Sequence, residues 1–137
     1  MLDQNFILAG TLTKNFSLGR KKHGVYSTIT EQSVANSSVV YAIYDGENLK
    51  KIGKAGVLEG RLNTYQNNTA DTNVFVRGEM EEGKVYDVYV YPAPTTRINI
   101  LGDDVDVPVD PTVIEAAYIK SYLRQTGQRP PWNRQIG

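Results

Sequence analysis

The stretch that decides the fold is 39-VVYAIYDGENLKKIGKAGVLEGRLNTY-65. Its opening run, VVYAIY, is mostly β-branched and aromatic, which suits a strand. Asp45-Gly46 follows, one of the strongest short hairpin signals. LKKIGKA (49–55) then reads as the return strand, and Gly56 breaks it. From there Leu58, Leu62 and Tyr65 recur at i, i+4 and i+7, the spacing of one helical face. Gly60 weakens that helix, because a glycine in a helix interior costs about 1 kcal/mol relative to alanine. The unit is a hairpin followed by a helix, and it carries Lys50, Lys51, Lys54 and Arg61.

Upstream, NFILAGTLT (5–13) and GVYSTITE (24–31) have strand composition. The glycine-bounded basic loop KNFSLGRKKHG lies between them, and the small polar stretch QSVANSS (32–38) reads as a linker. Residues 1–38 are therefore expected to form an N-terminal β-hairpin extension on a core spanning 39–137. Downstream, a short helix is expected over 71–83. A third strand follows in KVYDVYVYPAP, then one more at Arg97–Leu101, and GDDVDVPVD is read as a solvated acidic loop. The last helix is the clearest element. Asp110 suits an N-cap, Pro111 the first helical position and Gly127 the stop. QRPPWNRQIG cannot continue it across two prolines. The predicted fold class is α+β, a three-stranded, mostly antiparallel sheet flanked by helices.

A chain of 137 residues fits one domain that can fold without staples. It has no cysteine, which excludes thiol chemistry and cysteine-based zinc sites and suits a reducing compartment. No apolar run nears the roughly 20 residues needed to cross a bilayer, and MLDQNFILAG lacks the features of a secretory leader. A soluble cytoplasmic protein without membrane partners is expected. Net charge is zero, but its distribution is uneven: residues 14–70 carry +4, 71–115 carry −7 and 116–137 carry +4. Two basic segments folded together would make one positive face, although solvated charge explains the same pattern.

Taken in order, VVY, KIG, an arginine eight residues after that glycine, a late helical glutamate and a PPWN ending resemble the GIY-YIG nucleases. Val39-Val40-Tyr41 stands where that family has Gly-Ile-Tyr, and Lys51-Ile52-Gly53 where it has Tyr-Ile-Gly. Arg61 matches the helix arginine, Glu115 the metal-binding glutamate and Asn133 the late asparagine. The resemblance spans residues 39–133 and implies a DNA endonuclease that uses Mg²⁺ or another divalent cation such as Mn²⁺. It implies Tyr41 as proton acceptor, Arg61 on phosphate charge, Glu115 as the metal ligand, and Asn133 orienting the tyrosine or a neighbouring group. Lys51 replaces the motif's second tyrosine, Val39 its first glycine, and the stretch around Thr72 and Asn73 lacks the His or Lys found in many members. The lone His23 lies in the N-terminal loop, where it is expected to be a bystander or to face DNA.

The chemistry gives independent reasons for these residue types. Phosphodiester hydrolysis requires a water, a base, cations for the developing charge and stabilisation of the leaving oxygen. A tyrosine, with an ordinary pKa near 10, accepts a proton only if neighbouring cations pull that value down. Lys51, Lys54 and Arg61 are candidates for this. Arginine also grips phosphate in a fork that lysine cannot form, and a carboxylate such as Glu115 is a hard-oxygen ligand for Mg²⁺. Glu115, Ile119 and Tyr122 recur at i, i+4 and i+7, placing the carboxylate at the edge of a packed stripe. Lys51, Lys54, Arg20, Lys21, Lys22, Lys120, Arg124, Arg129 and Arg134 are expected to contact DNA phosphates. Cutting both strands from one small site calls for an oligomer or two visits.

Each residue also has a plain reading: Tyr41 as a core aromatic, the lysines as solvated strand residues, Arg61 as an acid's partner, Glu115 as helix filler, Trp132 as an apolar plug and Asn133 as a turn residue. The competing functions are a DNA-binding module of the same fold that has lost its chemistry, an RNA-cutting nuclease, and an assembly protein with no nucleic-acid role. Asp104, Asp106 and Asp110 lack the glycine turn and closing glutamate of a calcium loop.

Overall fold

The structure, a computed structural model, describes residues 3–133. In chain order it contains β1 (Ile7–Lys14), β2 (Val25–Ile29), β3 (Val39–Asp45), β4 (Asn48–Ala55), α1 (Leu58–Asn67), α2 (Asp71–Glu79), β5 (Val85–Pro92), β6 (Thr95–Ile100), β7 (Asp103–Pro108) and α3 (Pro111–Thr126). Strand β3 is almost wholly buried because both of its faces are covered. Val39, Tyr41 and Ile43 join the core built with Leu58, Leu62 and Tyr65 of α1 and Val76 of α2. Val40, Ala42 and Tyr44 face the other way, into a cluster with Ile114, Tyr118, Ile119 and Tyr122 of α3. The two-residue period of a strand thus assigns alternate side chains to two different helical layers.

The sheet has five strands in the order β2-β1-β5-β3-β4, and every pairing in it is antiparallel. It is larger than the three strands expected, because β1 pairs along β5 and brings β2 with it. Such pairings join residues about eighty positions apart, and no local pattern announces them. The β3–β4 turn forms as anticipated, with Gly46 at φ 59° and Asp45 paired to Asn48, so the tight residues are Gly46-Glu47. Helix α2 ends at Glu79, four residues short of the expected stop. GDDVDVPVD is only partly a loop: Asp103–Pro108 is strand β7, paired with β6 in a separate hairpin that turns through Leu101 and Gly102 at positive φ. Arg97 and Asp106 form an ion pair across that hairpin.

Helix α3 begins and ends as the sequence indicates. The Asp110 side chain accepts the Thr112 N–H at 2.8 Å, Pro111 opens the first turn, and Gly127 at φ 77° closes the last. Among the described residues, no helix is long and apolar enough to cross a membrane. Past α3 the chain returns to the free edge of β4. There the Trp132 N–H donates to the Lys50 carbonyl, and the indole packs edge-on against Tyr86 at 5.0 Å.

Two substitutions test this packing. A methyl group at Gly60 meets only Val57 Cβ, at 3.9 Å, so Gly60→Ala should raise stability by up to about 1 kcal/mol. Trp132→Ala empties a buried site and should lower it by about 3–5 kcal/mol. Urea unfolding midpoints report both, and a less stable Gly60→Ala chain would mean that the glycine's conformational freedom is needed there.

Candidate active site

Tyr41 sits on the α1 face of β3, directly opposite Gly53 of β4. A Cβ at Gly53 would overlap the Tyr41 ring at Cζ and Oη. The glycine therefore leaves a gap through which the ring crosses the outermost strand and carries its hydroxyl toward the sheet edge. Two donors or partners meet that hydroxyl: Tyr65 Oη at 2.6 Å and Arg61 Nε at 3.1 Å. The Arg61 guanidinium also lies 4.6 Å from the Tyr65 ring centre. One of its terminal nitrogens donates to Thr64 Oγ1 at 2.6 Å and to Asn73 Oδ1 at 2.8 Å. The other has no hydrogen bond among the described residues, so the fork is oriented but not exhausted.

Lys51 projects on the same face as Tyr41 and is only 8 % exposed. Burial, with the Arg61 charge adding to it, lowers its pKa to about 8, against a weaker opposing pull from Glu115. Lys54 is on the opposite face and donates to Thr112 Oγ1 at 2.7 Å, tying β4 to the first turn of α3. Glu115 lies one turn further along. It is half-buried, and burial raises its pKa, with Lys54, then Lys51 and then Arg61 pulling it back down. Although α3 covers the opposite face of the sheet from α1, the Glu115 charge acts on Tyr41, Lys51 and Arg61 alike. Among the described residues, β4 is the edge strand of the sheet.

Tyr41 departs from expectation in its ionisation. Burial raises its pKa, and the Arg61 charge and the bonds from Tyr65 and Arg61 only partly offset this. Desolvating a phenolate outweighs the nearby cations, so in the free protein Tyr41 is a neutral phenol. Asn133 bonds a neighbouring group and not the tyrosine itself. Its amide accepts the Ile52 N–H at 2.8 Å and donates to the Ile52 carbonyl at 2.7 Å, holding the strand between Lys51 and Gly53 and making no bond to the tyrosine.

Two partners were missed in the sequence. Tyr65 belongs to the apolar helix face, yet it stands one turn after Arg61 with its hydroxyl on Tyr41. Asn73 lies where a His or Lys was sought, and it receives the Arg61 guanidinium. The i, i+4 spacing of Arg61 and Tyr65 was the available signal. Of the expected DNA contacts, Lys51 and Lys54 belong to this centre, and the others lie on other elements. Arg20, Lys21 and Lys22 are exposed in the β1–β2 connection, where Tyr26 Oη accepts the Arg20 and Lys21 N–H groups. Lys120, Arg124 and Arg129 are exposed on α3 and just beyond it. Arg134 lies outside the described residues.

Among the described residues, no three His, Asp or Glu side chains converge as a metal cage. Glu115 is a single hard-oxygen donor flanked by cations. That set fits an ion such as Mg²⁺, which keeps waters and takes one or two carboxylates together with substrate phosphate. It does not fit an ion held by protein alone.

The chain matches no known protein family and no curated protein sequence. Its fold is similar to those of two solved structures. The restriction endonuclease HPY188I in complex with product DNA shares 17% identity at a TM-score of 0.59, over 97% of this chain and 82% of that one. A mutant of bacteriophage T4 EndoII shares 21% identity at a TM-score of 0.60, over 94% of this chain and 91% of that one.

The gap at Gly53 gives a direct test of this geometry. Gly53→Ala should displace the Tyr41 ring and cost about 1–3 kcal/mol of stability, the usual range for overpacking. Tyr65→Phe, which removes only one hydroxyl, should cost about 1 kcal/mol. Thermal and urea unfolding would show the ordering, and equal losses would contradict it.

Proposed function

We propose that this chain is a divalent-metal-dependent DNA endonuclease of the GIY-YIG type, with Tyr41, Lys51, Arg61 and Glu115 as its centre. The observation that carries the reading is the Tyr41 hydroxyl held by Arg61 and Tyr65 at Gly53 of the edge strand, with Lys51 buried on the same face. The fold's likeness to two DNA endonucleases supports it.

In this reading Arg61, oriented by Tyr41, Thr64 and Asn73, receives the scissile phosphate through its remaining nitrogen. Glu115 would hold the metal, which supplies Lewis-acid stabilisation of the leaving oxygen when bound. Because Glu115 stands among cations, it would hold the metal tightly only together with the negative charge of DNA. Lys51 takes the proton from the attacking water. Its burial brings the amine near neutrality, whereas the same burial moves Tyr41 away from it. Tyr41 anchors Arg61 and hydrogen-bonds the reacting groups. A second assignment, Tyr41 as the base, is favoured by the two partners on its oxygen, both able to donate to a phenolate. Asn133 fixes the backbone that presents Lys51.

Supercoiled plasmid should be nicked in Mg²⁺ or Mn²⁺ and left intact in EDTA, and Glu115→Gln should slow nicking by at least about a hundredfold. A wild-type chain that retards plasmid without cutting it would instead be a binding module, and preferential cutting of single-stranded RNA would make it a ribonuclease.

The proton acceptor is separable by pH. With a pKa of about 8, Lys51 is increasingly protonated below that value, so kcat/KM should fall about tenfold per unit below pH 8 and level off above it. Lys51→Arg, which cannot give up its proton, should abolish cutting while retaining DNA binding. An active Lys51→Arg enzyme would return the role of base to Tyr41.

A further inference from the structure

A second concentration of positive charge lies away from this centre. The end of β1, the β1–β2 loop and α2 enclose an open hollow of about 420 Å³ whose lining includes Lys14, Phe16, Lys22, His23 and Arg77. No carboxylate lines it, although the chain as a whole has as many acidic as basic residues.

Two of the cations are fixed by backbone carbonyls and not by acids. Lys14 Nζ donates to the Arg77 carbonyl at 2.7 Å and to the Met80 carbonyl at 3.3 Å. Arg77 donates to the Asn68 carbonyl at 2.7 Å and to the Tyr65 carbonyl at 3.2 Å, closing the end of α1. Carbonyls orient a cation without cancelling its charge. None of the ion pairs among the described residues involves Lys14, Lys22, His23 or Arg77. The Glu82 carboxylate accepts the Phe16 N–H at 3.0 Å and does not line the hollow.

The loop is built rather than loose. Asn15 caps its 3-10 turn, Gly24 at φ 68° carries the Phe16 ring against its backbone, and Tyr26 holds the Arg20 and Lys21 amides. The Phe16 ring, 53% exposed, walls one side, with Lys14 Nζ 5.6 Å from its centre. The hollow shares its framework with the candidate centre. Arg61 donates to Asn73, Asn73 donates to the Asn68 side chain, and Arg77 donates to the Asn68 backbone.

Resting on the nuclease reading above, we propose that this hollow seats a backbone phosphate of the bound DNA, away from the scissile one, with Phe16 against the adjoining nucleotide. Unneutralised lysine, arginine and imidazole donors suit a phosphate oxygen, and an aromatic wall suits the flat face of a base. The contact reads no sequence. Its role is to set the position of the strand entering the centre.

The test is fluorescence anisotropy of a duplex of about 25 base pairs with the metal-free Glu115→Gln chain, across a range of potassium chloride concentrations. Lys22→Ala with His23→Ala should weaken binding several-fold on unrelated sequences and reduce the slope of log K against log salt by about 0.9 for the lost phosphate. Lys22→Gln alone, an exposed and isosteric change, should move in the same direction, which guards against misfolding of the double variant. Lys22→Arg should keep the slope.

Unchanged slopes in folded variants, with plasmid nicking by the otherwise wild-type chain intact, overturn this site and leave the nuclease reading standing. A reduced slope in a chain that nicks nothing removes the nuclease reading and leaves this site. If the variants keep the slope but lose self-association in sedimentation, the hollow takes an acidic segment of a second copy, and the proposal is wrong.

Discussion

The Tyr41 ring lies across strand β4 at Gly53, where no Cβ blocks it. The site depends on this close approach. With an alanine there the ring must tilt, and its hydroxyl leaves the reach of Arg61 and Tyr65. The tyrosine is fully buried, so it cannot simply swing into solvent and return. It is held by packing below and by two polar partners above, and a buried hydroxyl so satisfied is costly to move. Arg61 inherits that rigidity. Its guanidinium is clamped between the Tyr65 ring, Thr64 and Asn73, and a fork ordered before the ligand arrives loses less entropy on binding it.

The electrostatics follow from where this cluster sits. Glu115 feels the charges of Lys54, Lys51 and Arg61, and Asp110 that of Lys54, without either forming an ion pair with them among the described residues. Burial, with the Arg61 charge adding to it, depresses the Lys51 pKa to about 8. The tyrosine responds to the same burial with the opposite consequence, because its charged form is the anion that burial disfavours.

Local signals carried much of the fold. The β3–β4 hairpin, the helix after it and the capped α3 were all legible, since their determinants lie within a few residues: a turn glycine, an i, i+4, i+7 stripe, an Asp-Pro start and a glycine stop. The five-stranded sheet was not. The pairing of β1 with β5 is decided by apolar faces, such as Leu12 and Tyr86, that meet only when the chain is folded. Strand β7 was hidden by its aspartates, which are depleted in strands generally but tolerated in this exposed hairpin. At the site, ordered motifs pointed to Tyr41, Arg61 and Glu115, while the sign of the Tyr41 shift was unreadable. Sequence shows which cations are near, but not how completely water is excluded. Tyr65 was concealed because an aromatic on an apolar stripe looks like core, and it is core; its hydroxyl alone serves the site.

The tail explains how an edge strand can be precise enough for this arrangement. β4 is outermost, and exposed edges tend to fray or to recruit foreign strands. Here Trp132 donates its backbone N–H to Lys50, and the Asn133 amide satisfies both the N–H and the carbonyl of Ile52. An asparagine side chain thus stands in for a neighbouring strand at the residue between Lys51 and Gly53. The Trp132 ring, buried against Tyr86, anchors it. Among the described residues the tail pairs at Lys50 and Ile52, the two neighbours of Lys51, and so stiffens the strand where it presents that side chain.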